Sequence, residues 1–247
     1  LDIVGNAAGA WSTRRLSLQS EYLLRVRRHT TGAGDGDEAD VAYDPATNFI
    51  TFDSPIVPNN GTSNTIEQFV GFGGNPDGVP ITGLTLKVMT WYDQAGSNDF
   101  TAVDPSLEPL LYDQNDGTGN IKQANGKAAA LFNDGAKLGP IDFNFTQPYT
   151  FSFVAKYDGA TTVAQSNFFG SRTPTSGTND IVSFCLRSSE WTMQAPFNGF
   201  GGIADTDQHQ WVAIYDGVDS LLIPSDSSLS TDGNVVVTQP GEIEIKN

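Results

Sequence analysis

Residues 84–99 have the sequence LTLKVMTWYDQAGSND. Leu84, Leu86 and Val88 alternate with polar residues, and this period of two predicts a β-strand with one apolar face. Residues that favour turns follow at once, so the motif at 91–99 should lie where a strand meets a loop. Junctions of this kind often carry functional side chains.

The side chains of the motif allow two interpretations. In the first, Asp93 and Gln94 tie down loop backbone amides and Trp91 fills the edge of a core, as is usual for such residues in turns. In the second, the motif is a sugar-facing rim, because aromatic faces stack on sugar C–H groups while amides and carboxylates pair with hydroxyls. The candidate carbohydrate-binding residues are Trp91, Tyr92, Asp93, Gln94 and Asn98.

Two upstream blocks accompany the motif, namely WSTRRL at 11–16 and YLLRVRR at 22–28. In order and spacing, over residues 7–135, the three blocks resemble the first half of the α-L-arabinofuranosidase B catalytic domain, and similar segments recur in phage proteins. The later chain resembles concanavalin A-like (laminin G-like) sandwiches, with a hairpin-like segment WVAIYDG at 211–217. The resemblance implies an all-β, two-sheet antiparallel jelly-roll sandwich with one or two short helices, and a fold alone does not imply an activity.

Length and composition suit such a sandwich. A chain of 247 residues can bury a sizeable core, and all-β sandwiches of this size are often one domain, so we expect a single domain over 1–247. Because Leu1 is not an initiator, we expect a processed product or a piece of a longer chain. The 26 Gly, the 13 Pro and a charged fraction of only 17% favour short strands joined by turns. The lone Cys185 excludes an internal disulfide.

Strand patterns recur along the chain. Alternation predicts a strand at 21–28, with Leu24 on the apolar face and Arg25 and Arg27 on the opposite one. Those arginines either clamp a ligand carboxylate or pair with local acids, and the second is the commoner arrangement. Further strands are predicted at 39–43, 48–52, 110–112, 128–132, 149–157, 181–186, 191–194, 210–215 and 221–223.

Two short helices are predicted. The first spans 7–18, where Ser12 can act as an N-cap and no breaker follows. The second spans 64–72, where Asn64 and Glu67 have the spacing of a capping box.

Charge limits the partners. Acidic residues number 29 against 13 basic ones, for a formal net charge of −16, and a field of this sign repels phosphate backbones and anionic membrane surfaces. We therefore expect neither nucleic acid nor membrane as a partner. The sequence has no run of eighteen apolar residues, so no transmembrane helix is predicted.

No cofactor is predicted. The segment GAGDGDE at 32–38 has the Asp and Gly alternation of a calcium loop, but no Glu occupies the twelfth position from Asp35. An ordinary acidic turn is favoured, which leaves a structural calcium ion as the open alternative. His29 and His209 are too few for a zinc site and are expected in turns or on the surface.

Catalysis is not expected either. Glycoside hydrolysis needs two carboxylates across the scissile bond, and the resemblance implies a nucleophilic Glu in a Trp-x-Met-x-Asp-x-Glu-Asn segment. The matching segment here is WTMQAPFN at 191–198, with Ala195 and Phe197 in the carboxylate positions. A cysteine pair that the resemblance implies in the sugar pocket corresponds to Ser166 and Asn167. A phenyl ring cannot attack an anomeric carbon, so the covalent route would be lost.

Two functions follow from these observations. The first is a non-catalytic structural protein at the virion surface of a bacteriophage, as a tail fibre, adhesin or capsid-decorating domain. Its partners would be other virion structural proteins or copies of itself, with cell-surface glycans as a further partner. The alternative is a secreted, extracellular glycoside hydrolase or carbohydrate-binding module of the arabinofuranosidase B type.

Overall fold

A computed structural model describes residues 7, 9–79, 82–133 and 136–139 in full, then the backbone of eight strands between residues 149 and 240 and the side chains of 154–156. The chain divides into two compact units, Leu1–Phe143 and Asn144–Asn247. Strands in antiparallel sheets make up most of the described secondary structure of both units, and helices are few. The predicted all-β class is confirmed, and the single domain over 1–247 stays a prediction.

The first unit is built around one antiparallel sheet. Its elements are β1 (Leu24–His29), β2 (Glu38–Val41), β3 (Ile56–Pro58), α1 (Ile66–Phe69), β4 (Thr85–Trp91), β5 (Phe100–Thr101), β6 (Leu110–Asp113), β7 (Gln123–Ala124) and β8 (Lys127–Ala128). Five strands lie in the order β3-β2-β1-β4-β5, and β6 also pairs with β4. Strands β7 and β8 form a separate hairpin, whose turn residues Asn125 and Gly126 have φ of 48° and 70°, as in a type I′ turn.

The second unit contains two four-stranded antiparallel sheets. Its strands are β9 (Tyr149–Lys156), β10 (Gln165–Arg172), β11 (Ile181–Arg187), β12 (Glu190–Ala195), β13 (Asn198–Ile203), β14 (Gln208–Tyr215), β15 (Asp226–Thr231) and β16 (Asn234–Pro240). One sheet has the order β10-β11-β12-β13 and the other β16-β15-β14-β9. The predicted strands at 149–157, 181–186, 191–194 and 210–215 are confirmed, whereas the strand predicted at 221–223 lies outside the described residues.

Alternating burial defines the core of the first unit. Leu24 and Val26 of β1 and Leu86 and Val88 of β4 are completely buried, because successive strand residues point to opposite faces of the sheet. Arg25 and Arg27 lie on the other face and are only half-buried. The face assignment made from the alternation at 21–28 and 84–88 is therefore confirmed.

Tyr112 adds a buried hydroxyl to this core. The residue is 0% exposed, and its ring lies edge-on to Phe52 and Phe72, with centroids 5.8 and 6.3 Å away. Its hydroxyl has no hydrogen-bond partner among the described residues. Burial, followed by the nearby Asp116 and Asp113, raises the pKa of this hydroxyl.

Replacing Tyr112 by phenylalanine should leave the free energy of unfolding unchanged or raise it by about 1–2 kcal/mol. The substitution keeps the ring and removes a buried polar group that is unpaired in the folded state. Urea denaturation of the variant and the unmodified chain would measure the difference. A clear loss of stability would mean that the hydroxyl has a partner in the folded protein.

The helix predicted at 7–18 is wrong. None of the described residues of this segment is helical, and Arg14 forms an isolated antiparallel bridge with Phe49. Its main chain bonds to a distant loop, with Arg15 N–H donating to the Asn48 carbonyl at 3.0 Å and Ile50 N–H donating to the Thr13 carbonyl at 2.9 Å. These long-range bonds override a helix propensity that is weak in a short segment. Residues 48–52 do not form the predicted strand, and Phe49 contributes the isolated bridge to Arg14.

The helix predicted at 64–72 is shorter and shifted. Helix α1 spans Ile66–Phe69, and its N-cap is Thr65, whose hydroxyl accepts the Gln68 N–H. Gln68 Oε1 in turn accepts the Asn64 N–H at 2.8 Å. The N-cap therefore lies one residue later than predicted, and Gln68 bonds the N–H of the residue before the cap and not that of the cap itself, so the predicted capping box of Asn64 and Glu67 is not formed.

Candidate functional site

The three sequence blocks that accompany one another along the chain also meet in space. The motif at 91–99 begins with the last residue of β4 and runs on to β5. Strand β1 pairs with β4 in antiparallel register, and the Tyr92 N–H donates to the Leu23 carbonyl at 3.0 Å. The segment 10–16 lies along the loop, where Trp11 Nε1 donates to the Asn98 carbonyl at 2.9 Å.

Asp93 organises the loop. Its side chain is buried, and Oδ1 accepts the N–H groups of Ala10 and Ala95, both at 2.8 Å. Oδ2 accepts the Asn98 N–H at 3.1 Å. The carboxylate thus satisfies three backbone donors, which is the usual way to accommodate a buried charge without a cation.

Gln94 joins residues 12–16 to the loop at 91–99. The side chain is buried, and its Oε1 accepts the Leu16 N–H at 2.6 Å. Its Nε2 donates to the carbonyls of Ser12 at 3.2 Å and Arg14 at 3.0 Å. The amide uses both donors and its acceptor on main-chain groups about eighty residues earlier in the chain.

Tyr92 is joined to the polar face of the sheet. Its hydroxyl donates to Asp40 Oδ1 at 2.5 Å, and Arg25 donates to both oxygens of the same carboxylate at 2.8 Å. Burial opposes ionisation of Asp40, but hydrogen bonds from Arg25 and Tyr92 hold its pKa below the ordinary value. Burial and then Asp40 raise the pKa of the Tyr92 hydroxyl, so the hydroxyl is a donor here.

The remaining members of the predicted rim are Trp91 and Asn98. Trp91 packs partly buried against the core, and its buried Nε1 has no hydrogen-bond partner within the part of the chain that the structure describes. Asn98 joins the loop through its own N–H and carbonyl. The structure brings all five predicted residues together, and the polar groups of Asp93 and Gln94 are bonded to the protein itself.

A second group of charges lies on the same polar face. Arg27 pairs with Glu38 at 2.8 Å and with Glu108, and His29 Nε2 lies 3.0 Å from the other oxygen of Glu108. The arginines of β1 therefore pair with local acids, as the commoner of the two alternatives predicted. His29 is the last residue of β1 and not a turn residue, and its side chain is partly exposed at the surface. Sequence reasoning missed Glu108, which is nearly completely buried and gives no local signal of its partners.

The acidic turn at 32–38 has internal partners. Asp35 accepts the Thr30 N–H at 3.0 Å, and Asp37 pairs with Arg28. Within the described ranges, no group of three or more His, Cys, Asp or Glu side chains is placed to hold a metal ion. In the same ranges, no helix has the length and apolar character needed to span a bilayer.

The glycosidase-like segment falls in a hairpin of the second unit. Trp191 and Met193 lie in β12, which ends at Ala195, and Asn198 begins β13. Phe197 lies outside the described residues. Ser166 and Asn167 lie in β10, opposite Leu186 and Cys185 of β11; side chains in these strands are likewise outside the described ones.

Comparison with protein-family models, with curated proteins and with solved structures found no match to this chain. The geometry of the first unit is therefore the basis for a functional proposal.

Proposed function

We propose that this chain is a non-catalytic jelly-roll module of the concanavalin A-like kind at the surface of a bacteriophage virion. In such a particle it would serve as a tail fibre, adhesin or capsid-decorating domain. The observation that carries the non-catalytic part is the bonding of Asp93 and Gln94. Their side chains hold the protein's own backbone, so the most distinctive motif of the sequence has an architectural role.

The sequence of the second unit supports the same proposal. A retaining glycosidase needs a carboxylate nucleophile, and the segment that resembles the nucleophile region has Ala195 and Phe197 in place of its Asp and its nucleophilic Glu. In the first unit, the carboxylates of Glu38, Asp40 and Glu108 are all paired with arginines. Despite burial, hydrogen bonds from Arg25 and Tyr92 hold the pKa of Asp40 below its ordinary value, so this carboxyl group is a poor proton donor.

The fold and the charge agree with a structural module. The second unit contains two four-stranded antiparallel sheets. A two-sheet sandwich is built from sheets of this kind. The net charge of −16 keeps such a surface soluble and away from nucleic acid. The virion location rests on the resemblance of the sequence blocks to phage proteins, and the partners it implies are other virion proteins or copies of the same chain.

The proposed function can be tested on purified virions. Virions produced from the genome that encodes the chain, purified by density gradient, should contain it by mass spectrometry and bind an antibody against it on their surface. The purified chain should release no product from aryl α-L-arabinofuranosides. Absence of the chain from the particles would overturn the virion assignment, and turnover that survives repurification would overturn the non-catalytic one.

A further inference from the structure

The chain contains three Asn-Gly pairs, at 60–61, 125–126 and 198–199. In such a pair the main-chain nitrogen that follows asparagine is unhindered, because glycine has no Cβ. This nitrogen can therefore reach the side-chain amide of the asparagine. The side chain at 198 lies outside the described residues, so the structure allows a comparison of the first two pairs.

Asn125 and Gly126 form the exposed turn between β7 and β8. The Asn125 side chain has no hydrogen-bond partner within the described residues, and a Cβ on Gly126 would meet no atom within 4 Å. Strands β7 and β8 are two residues long each and form a sheet of their own. An isolated two-stranded hairpin has marginal stability, so this turn should open locally at a small cost in free energy.

The surroundings of the pair at 60–61 are different. Both residues are exposed, but Asn60 Nδ2 donates to Asp37 Oδ1 at 3.2 Å. A Cβ on Gly61 would come within 2.6 Å of Asp77 Oδ1, so a carboxylate lies beside this glycine. A carboxylate at such a distance disfavours a second negative charge on the Gly61 nitrogen. The hydrogen bond and the charge both oppose attack by that nitrogen.

We propose that Asn125 is a site of spontaneous deamidation, which the fold directs to this residue in preference to Asn60. Base removes the proton of the Gly126 main-chain N–H, and the nitrogen attacks Asn125 Cγ. The new N–Cγ bond replaces the Cγ–Nδ2 bond, and Nδ2 takes up a proton and leaves as ammonia. Water then opens the succinimide ring at one of its two carbonyl carbons, which yields aspartate or isoaspartate.

Each product changes the hairpin. Aspartate places a negative charge next to Lys127 in the sequence. Isoaspartate inserts the Cβ atom into the main chain, and a two-residue turn has a fixed loop length. The extra atom should therefore disturb the pairing of Ala124 with Lys127. This inference does not depend on the virion location or on the absence of catalysis.

Incubation of the full 247-residue chain in mildly alkaline buffer at body temperature tests the proposal. Peptide mapping by mass spectrometry follows each asparagine, and chromatography separates the aspartate and isoaspartate forms. Asn125 should lose its amide at least ~10-fold faster than Asn60, the factor in rate that corresponds to about 1.4 kcal/mol in the barrier. Asn60 in the same molecule is the internal control.

The chain unfolded in guanidinium chloride at the same pH is the second control. Both pairs have the same local chemistry there, so Asn125 and Asn60 should react at similar rates. The proposal is overturned if Asn60 reacts as fast as Asn125 in the folded chain, or if Asn125 stays intact there while it reacts in the denaturant. A preference for Asn125 that persists unchanged in the denaturant would also overturn it, because the local sequence and not the fold would then select the site.

Discussion

Replacing Arg28 by methionine should lower the free energy of unfolding by about 3–5 kcal/mol, the usual cost of removing one partner from a buried ion pair. Arg28 is 0% exposed. Methionine can fill much of the space of the arginine stem, so the loss would come from the charged groups that it leaves behind. Urea denaturation monitored by tryptophan fluorescence would measure this loss in the free energy of unfolding.

The surroundings of Arg28 explain the size of the effect. The guanidinium pairs with Asp37 and lies 3.8 Å from Asp77 Oδ2. It also donates to the carbonyls of Phe69 at 2.8 Å and Gly34 at 3.0 Å. One side chain thus joins the 32–37 turn, the end of α1 and the loop at residue 77. Removing it would leave two carboxylates and two carbonyls without their cation.

Neighbouring groups are adapted to this arginine. Burial would raise the pKa of Asp77, but hydrogen bonds from Ser63 and Thr62, with the charge of Arg28, hold it below its ordinary value. Gly34 has φ +81°, and a Cβ at this position would come within 2.6 Å of Arg28 Nη2. The turn therefore requires glycine both for its backbone and for the close approach of the guanidinium.

Arg25→Met is the control for this experiment. Arg25 lies in the same strand and pairs with Asp40, but its side chain is 39% exposed. Solvent-exposed pairs contribute about 1 kcal/mol or less, so this variant should be much the more stable of the two. Equal losses for both variants would contradict the central position given to Arg28.

The second large effect is expected at Gln94. Gln94→Met keeps the volume of the side chain and leaves the Leu16 N–H and the carbonyls of Ser12 and Arg14 without their partner. A loss of about 2–3 kcal/mol is expected, since unpaired groups in a partly buried site retain much of their desolvation penalty. Chemical denaturation would measure the loss.

Limited proteolysis would show where the Gln94 variant is weakened. Trypsin cleaves after arginine, and Arg14 and Arg15 lie in the segment that Gln94 holds, so the variant should be cut there faster than the unmodified chain. Gln19→Ala, at an exposed position, should change neither stability nor cleavage. A Gln94 variant as stable and as resistant as the Gln19 variant would reject the role assigned to Gln94.

Much of the strand framework could be predicted because its signal is local. Alternation along β1 and β4 gives the buried face directly from the sequence. The same alternation contains a signal that was missed: Arg28 has the parity of Leu24 and Val26 and must therefore lie on the apolar face. A charge at such a position implies buried partners, although the sequence does not say which acids they are.

The N-terminal segment could not be predicted from local sequence. Ser12 and the residues after it fit a capped helix as well as any other structure. The structure is decided by Gln94 and by the loop around Asn48, which lie tens of residues away. Local helix propensity gives no information about such distant partners. The same contacts determine the role of the motif at 91–99. The residue types alone predicted that Asp93 and Gln94 could bind backbone groups. They did not predict which backbone groups these side chains bind.

Amide hydrogen exchange on the unmodified chain tests most directly whether the motif at 91–99 has an architectural role. The N–H groups of Ala10, Leu16, Ala95 and Asn98 each donate to Asp93 or Gln94. They should exchange far more slowly than amides of an unstructured peptide, in the manner of hydrogen-bonded native amides. Exchange of these four at unprotected rates, while amides of β1 and β4 remain protected, would contradict the account and leave both side chains available to a ligand.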